Sequence, residues 1–221
     1  MKKIVLLSLL ACTSAFSQIT LDSARVAQRR YKMGSYDYHE KFIGYVGYGA
    51  PLILTEDCGA AFFGGNGDEK GSFGQLVKVD KNGKEMWQQA VRPQFNEIET
   101  QSVVEDTKGN LYVTMLSYDE KRYRGGCERI VCFDPKGTVI FDKTFGNYTL
   151  MNCPVFDYIR ALPDGRIHLK GHIVIDKPVK GKDPVYRYWE GWIDSQGTLT
   201  QKTGDVIVWE NKEWMKVFAP E

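Results

Sequence analysis

Residues 75–87 read QLVKVDKNGKEMW: an apolar strand ending in Asp80, a glycine three residues on at Gly83, and then a second strand. The same order returns at 129–141, RIVCFDPKGTVIF, and at 191–201, GWIDSQGTLTQ, with Asp134 and Gly137, then Asp194 and Gly197, in the same places. Aspartate can hydrogen-bond its own backbone two residues on, and glycine takes positive φ without steric cost, so each segment predicts a tight hairpin. A second hairpin precedes each of these, at 52–63 (LILTEDCGAAFF), 102–113 (SVVEDTKGNLYV) and 158–169 (YIRALPDGRIHL), with Gly59, Gly109 and Gly165 as the expected turn glycines. The unit recurs about every fifty residues and holds four short strands, A to D, in an antiparallel meander.

Four-stranded units at this period are the sequence signature of β-propeller blades, whose apolar faces are buried only when the next sheet stacks on them. The expected fold class is all-β and propeller-like. Three complete four-stranded blades fall at about 50–98, 99–152 and 153–204, within a single domain at 18–221. Gly34, followed by Tyr36 and Tyr38, sits where a further second-type turn would fall, so the chain begins within strands C and D of another blade and ends near its strand A. Pairing of 214–218 with 36–46 would complete a fourth, composite blade and remove the last open edge. The competing architectures are an open array that closes by dimerising and a piece of a larger ring.

The D-x-N-G turn followed by Trp87, four residues after Gly83, resembles the repeats of secreted bacterial propellers of the PQQ-like or sialidase-like type. The resemblance covers roughly residues 50–204 and carries across no cofactor-binding residue, so no cofactor is expected. The third copy departs from it, with Gln201 where the first has Trp87 and the second Phe141.

Met1, Lys2 and Lys3 precede an apolar run at 4–11 and small residues up to Ser17, the layout of a signal peptide at 1–17 cleaved before Gln18. The expected location is therefore exported: periplasmic, outer-membrane-associated or extracellular. The run is too short to span a bilayer, and no later segment is long enough, so no transmembrane segment is expected. Leu9, Leu10, Ala11 and Cys12 resemble a bacterial lipobox, which leaves a lipid anchor at Cys12 open beside free export. In an oxidising compartment Cys58, Cys127, Cys132 and Cys153 allow three full pairings, and their spacing fits no metal motif.

Lys plus Arg number 29 against 28 Asp plus Glu, a net charge of +1, which lacks the basic excess of a nucleic-acid binder. In a meander, the A–B and C–D turns lie at one end of the sheet, and the B–C and D–A connections at the other. Every short turn above belongs to the first end. Long connections are expected at the second, at 64–74, 117–126 and 176–190 within blades and at 88–100 and 144–154 between them. Function concentrates on long loops held by a rigid scaffold, so a binding face is expected there.

Its candidate residues are Tyr118, Arg122, Tyr123 and Arg124 in the second loop, and Tyr186, Arg187, Tyr188 and Trp189 in the third. Aromatic rings stack on sugar faces and guanidinium groups fork onto carboxylate or phosphate, while the same residue types dominate protein hot spots. The alternative for Tyr188, Trp189 and Trp192 is packing between blades.

Catalytic signatures are absent. There is no G-x-S-x-G or H-E-x-x-H, and the glycine-rich stretch 64–72 fails the phosphate-loop spacing and reads as a flexible loop. His168 and His172 share a strand face with Lys170 but lie about 13 Å apart, too far for one metal ion, so no metal site is expected. Asp80, Asp134 and Asp194 are accounted for by their turns. Asp22–Ala24 resembles a short O-glycosylation motif, and Asn147, Tyr148 and Thr149 form a sequon. The functional expectation is a non-enzymatic exported propeller that binds a partner protein or a glycan. The alternative is a small secreted carbohydrate-active enzyme, a lyase or hydrolase, using the same face.

Overall fold

All four residues of the segment 60–63, AAFF, are buried, and successive strand side chains point to opposite faces, so this segment belongs to a sheet covered on both sides. The structure, a computed structural model, describes residues 19–21, 23–24, 51–92, 97–118, 126–145, 154–174 and 185–208. They form an all-β architecture of three four-stranded antiparallel sheets. The first holds β1 (Leu52–Leu54), β2 (Ala60–Asp68), β3 (Gly71–Val79) and β4 (Glu85–Val91). The second holds β5 (Glu97–Glu105), β6 (Leu111–Tyr118), β7 (Gly126–Phe133) and β8 (Val139–Phe145), and the third β9 (Pro154–Ala161), β10 (Ile167–Val174), β11 (Val185–Ile193) and β12 (Leu199–Val208). In each sheet the strands lie in chain order, as a meander.

The sheets stack through their first strands: β5 packs on β1, β2 and β3, and β9 packs on β5 and β7. Ala61, Phe63 and Leu76 of the first sheet meet Leu111, Val113, Met115 and Phe133 of the second in one core. Tyr112, Ile130 and Cys132, on the other face of the second sheet, meet Phe156, Leu169 and Trp189 of the third. The outer face of the first sheet, Ala60, Phe62, Val77 and Val79, is buried too, and Ile19 and Ala24 pack on it. The Ile19 amide donates to the Cys58 carbonyl at 3.0 Å, which ties this segment to the first turn.

The hairpin turns share one geometry. The amide of Gly83 donates to the Asp80 carbonyl, and the Asp80 amide to the Lys84 carbonyl, a type I turn closed by a glycine bulge. The same bonds recur around Asp106, Asp134, Leu162 and Asp194, with positive φ at Gly109, Gly137, Gly165 and Gly197. Oδ1 of Asp80, Asp106, Asp134 and Asp194 accepts two backbone N–H groups in its own turn. At the first turn the structure corrects the sequence. Its bonds run from Thr55 to Gly59, so the left-handed residue is Cys58 (φ 69°) and not Gly59. Glycine is kept at 59 for a different reason: a side chain there would meet the Val79 carbonyl oxygen at 2.2 Å.

Two turn glycines also receive a ring from the preceding sheet. A side chain on Gly137 would stand 2.8 Å from Cδ2 of Trp87, and one on Gly197 would stand 2.9 Å from Cγ of Phe141. Trp87 adds an indole N–H bond to the Pro135 carbonyl at 2.9 Å, and Gln89 one to the Gly137 carbonyl at 2.9 Å.

Strand pairing also reaches further than the loop composition suggests. The stretch 64–74, expected as a flexible loop, is an extended hairpin in which β2 and β3 stay paired to the Asp68–Gly71 rung. Its glycines lack side chains but keep both backbone hydrogen-bonding groups, so the ladder continues through them. Residues 88–91 and 97–100 are likewise strand, as are 144–145 and 185–190.

The corrected first turn gives opposite outcomes for two neighbouring substitutions. Cys58→Gly relieves a left-handed residue and should stabilise by about 0.5–1 kcal/mol, while Gly59→Ala should cost about 2 kcal/mol or more against the Val79 carbonyl. Urea unfolding of both variants checks this; stabilisation by Gly59→Ala would contradict the turn assignment.

Candidate binding face

The two ends of the sheets differ in how their polar groups are spent. At the short-turn end the Asp80, Asp134 and Asp194 carboxyls lie below the usual carboxylate range, held there first by the amides of Lys84, Thr138 and Thr198 respectively. The same end contains buried Lys78, whose ammonium donates to Thr55 Oγ1 and Asp57 Oδ1. Burial pushes the Asp57 carboxyl up, but the hydrogen bonds from Lys78 and Thr55 outweigh it, and the net shift is downward. Glu105 reaches this cluster from the second sheet, accepts the Glu56 amide at 2.8 Å, and has its carboxyl raised by burial. These groups satisfy one another and fasten the first sheet to the second.

At the opposite end, strand ends present arginine and aromatic groups toward solvent. Arg92 forks onto Asp68, and its guanidinium carbon lies 5.0 Å from the centroid of Phe73. Arg129 donates from Nε to Asp142 Oδ1 at 2.7 Å and from a terminal nitrogen to the Arg92 carbonyl, which joins the second sheet to the first. On the outer face of the third sheet His172 Nδ1 lies 2.6 Å from Asp157 Oδ2, and the imidazole meets Tyr186 edge-on at 4.8 Å.

Further along that face His168 Nε2 lies 2.7 Å from Glu190 Oε1, and the imidazole stacks on Trp192 at 5.3 Å. Tyr158 meets His168 edge-on, and Lys170 lies 5.6 Å over the Tyr158 ring. Burial, with the Glu190 carboxylate second, pushes the Tyr188 phenol up to about 12.

The structure separates the residues that the sequence grouped together. Tyr118 is the last residue of β6, and Arg122, Tyr123 and Arg124 lie outside the described residues, as do 1–18 and the Asn147 sequon. Tyr186, Arg187, Tyr188 and Trp189 are not loop residues but part of β11. Alternation sends Trp189 inward, where it is 1% exposed, stacks on Phe156 at 5.4 Å and donates its indole N–H to Gln201. Trp189 is thus a core residue of the joint between the second and third sheets. Tyr186 and Tyr188 point to the opposite face with the two histidines, and Arg187 is exposed.

His168 and His172 do share a face, each directed at its own carboxylate. Among the described residues no group of three or more His, Cys, Asp and Glu is placed to hold a metal ion. Cys132 is a buried thiol in the second core, pushed up to about 12 by burial. The side chain of Cys127, and Cys153, lie outside the described residues. Arg92, Phe73, Asp68 and Asp157 went unnoticed in the sequence because their meeting depends on strand register. Asp68 and Arg92 close across the ends of β2 and β4, and Asp157 is displaced toward His172 by a bulge in β9.

Among the described residues no helix is long and apolar enough to cross a membrane. No protein-family model matches the sequence, and no curated protein matches it. One solved structure, described as the crystal structure of the eukaryotic initiation factor, is similar over 76% of this chain with 7% identity and a TM-score of 0.22. The chain spans 58% of that structure's length.

Proposed function

We propose that this is an exported, non-enzymatic binding module that takes a partner protein or a glycan at the end carrying the longer connections. The observation that carries this reading is the difference between the two ends. The short turns are closed on themselves by their own aspartates, whereas the opposite end offers Phe73 with Arg92 and Tyr186 with His172. Such residues anchor protein and sugar ligands. Export follows from the basic start and apolar run at 1–17. The enzyme alternative needs acidic or histidine side chains from different sheets to converge at that end, and there His172 is paired with Asp157 of its own sheet.

The architecture that fits this reading is a propeller-like ring with a fourth sheet drawn from 36–46 and 214–218. Two observations support it. The parts of the outer faces of the first and third sheets that lie nearer the short turns are covered, with Phe62 fully buried and Tyr158 only 8% exposed. An aromatic residue four positions after a turn glycine rests on the next sheet's turn glycine at Trp87 and Phe141, and Tyr38 follows Gly34 at the same spacing.

Two experiments test these statements. On glycan arrays, and in cross-linking pull-downs from envelope extracts, the mature protein should lose about tenfold in affinity with Tyr186→Ala or with Tyr123→Ala and Arg124→Ala combined, but nothing with Lys136→Ala at the opposite end. Loss with Lys136→Ala alone would reverse the assignment. Removing residues 213–221 should lower the melting temperature by 10 °C or more on the order expected for a lost sheet, and an unchanged value would rule out the ring.

A further inference from the structure

The outer face of the extended β2–β3 hairpin carries a ladder of side-chain amides. Asn66 Nδ2 donates to Gln75 Oε1 at 2.6 Å, and Gln75 Nε2 donates to Gln88 Oε1 at 2.7 Å, so β2, β3 and β4 each contribute one amide. Register places them on one face. Gln75 is paired with Gly64 and Gln88 with Val77, the face that also presents Phe73 opposite Asn66 and, at the sheet end, the Arg92–Asp68 pair. The half of this face nearer the short turns is apolar and buried, whereas Asn66, Phe73 and Gln75 are half-buried and Gln88, Arg92 and Asp68 exposed.

Each amide has two N–H donors and two acceptor lone pairs. The ladder uses only part of that capacity, so Gln88 Nε2 and the second N–H of Asn66 and of Gln75 are available to an outside acceptor. The patch is also electrically balanced. Arg92 is neutralised by Asp68, and Glu69 lies beside Lys70 at the hairpin tip.

We infer that this hairpin face is a subsite for a neutral, hydroxyl-rich ligand, an uncharged oligosaccharide, an inference that rests on the binding role proposed above and names its ligand class. Sugar hydroxyls donate and accept at once, which matches a row of amides offering both, and an aromatic ring such as Phe73 suits the C–H face of a pyranose. An acidic glycan would find the two arginines at this end, Arg92 and Arg129, already engaged by aspartates.

The test is binding of the full mature protein to an array of neutral and acidic oligosaccharides, followed by titration calorimetry of the strongest neutral hit. Gln75→Ala and Gln88→Ala should each weaken neutral-glycan binding about tenfold with the melting temperature unchanged, and raising the salt should leave wild-type affinity constant. Binding confined to acidic glycans, or neutral binding that neither variant weakens, would overturn the inference. If those same measurements show loss with Tyr186→Ala, the binding role at this end stands and only the hairpin subsite falls. Capture of a protein partner with no glycan bound would likewise remove the subsite alone.

Discussion

The indole of Trp87 lies against Gly137 of the next sheet, and the ring of Phe141 lies against Gly197 of the one after. Each contact makes one glycine serve two purposes, since the same residue must take a left-handed φ to turn its own hairpin and must lack a side chain to admit its neighbour's ring. This couples local turn chemistry to the stacking of sheets. A repeat unit contacts only its neighbours and draws much of its stability from those interfaces, and here the joints supply that cover. The third sheet, with Gln201 at the equivalent position, directs no ring onward; its Gln201 instead accepts the indole N–H of Trp189 from within the sheet.

Much of this was legible in the sequence, and for identifiable reasons. Turns built on Asp80, Asp134 and Asp194 are local, so their residues specify them directly. The Thr55 turn shows where that ends: Gly59 aligns with the other turn glycines by eye, yet Cys58 is the left-handed residue, because closeness to the Val79 carbonyl claims Gly59 first. The stretch 64–74 reads as a loop for a related reason, since glycine-rich composition describes side chains and not the backbone pairing that carries β2 and β3 out to Asp68 and Gly71.

The candidate site was harder to see. Trp189 and Tyr188 are adjacent in sequence and looked alike as binding residues, yet a strand period of two sends one into the core and the other to the outer face. The side chains that do meet, Arg92 with Asp68 and Phe73, or His172 with Asp157, come from different strands, and their contact is a property of register and of one bulge. The polar groups of the two ends follow the same logic. Carboxylates one turn away from their partners close the short-turn end, while groups that need two or three strands to assemble are left facing solvent at the other.

The dual role of the turn glycines can be measured by comparing Gly137→Ala, Gly197→Ala and Gly165→Ala in equilibrium unfolding. All three have φ near +80°, but a side chain at Gly165 would meet nothing within 4 Å, so that variant reports the backbone cost alone. The account predicts a loss of about 1–2 kcal/mol for Gly165→Ala and a further loss of about 1–3 kcal/mol for the other two. Equal losses at all three positions would contradict the claim that aromatic rings seated on turn glycines hold the sheets together.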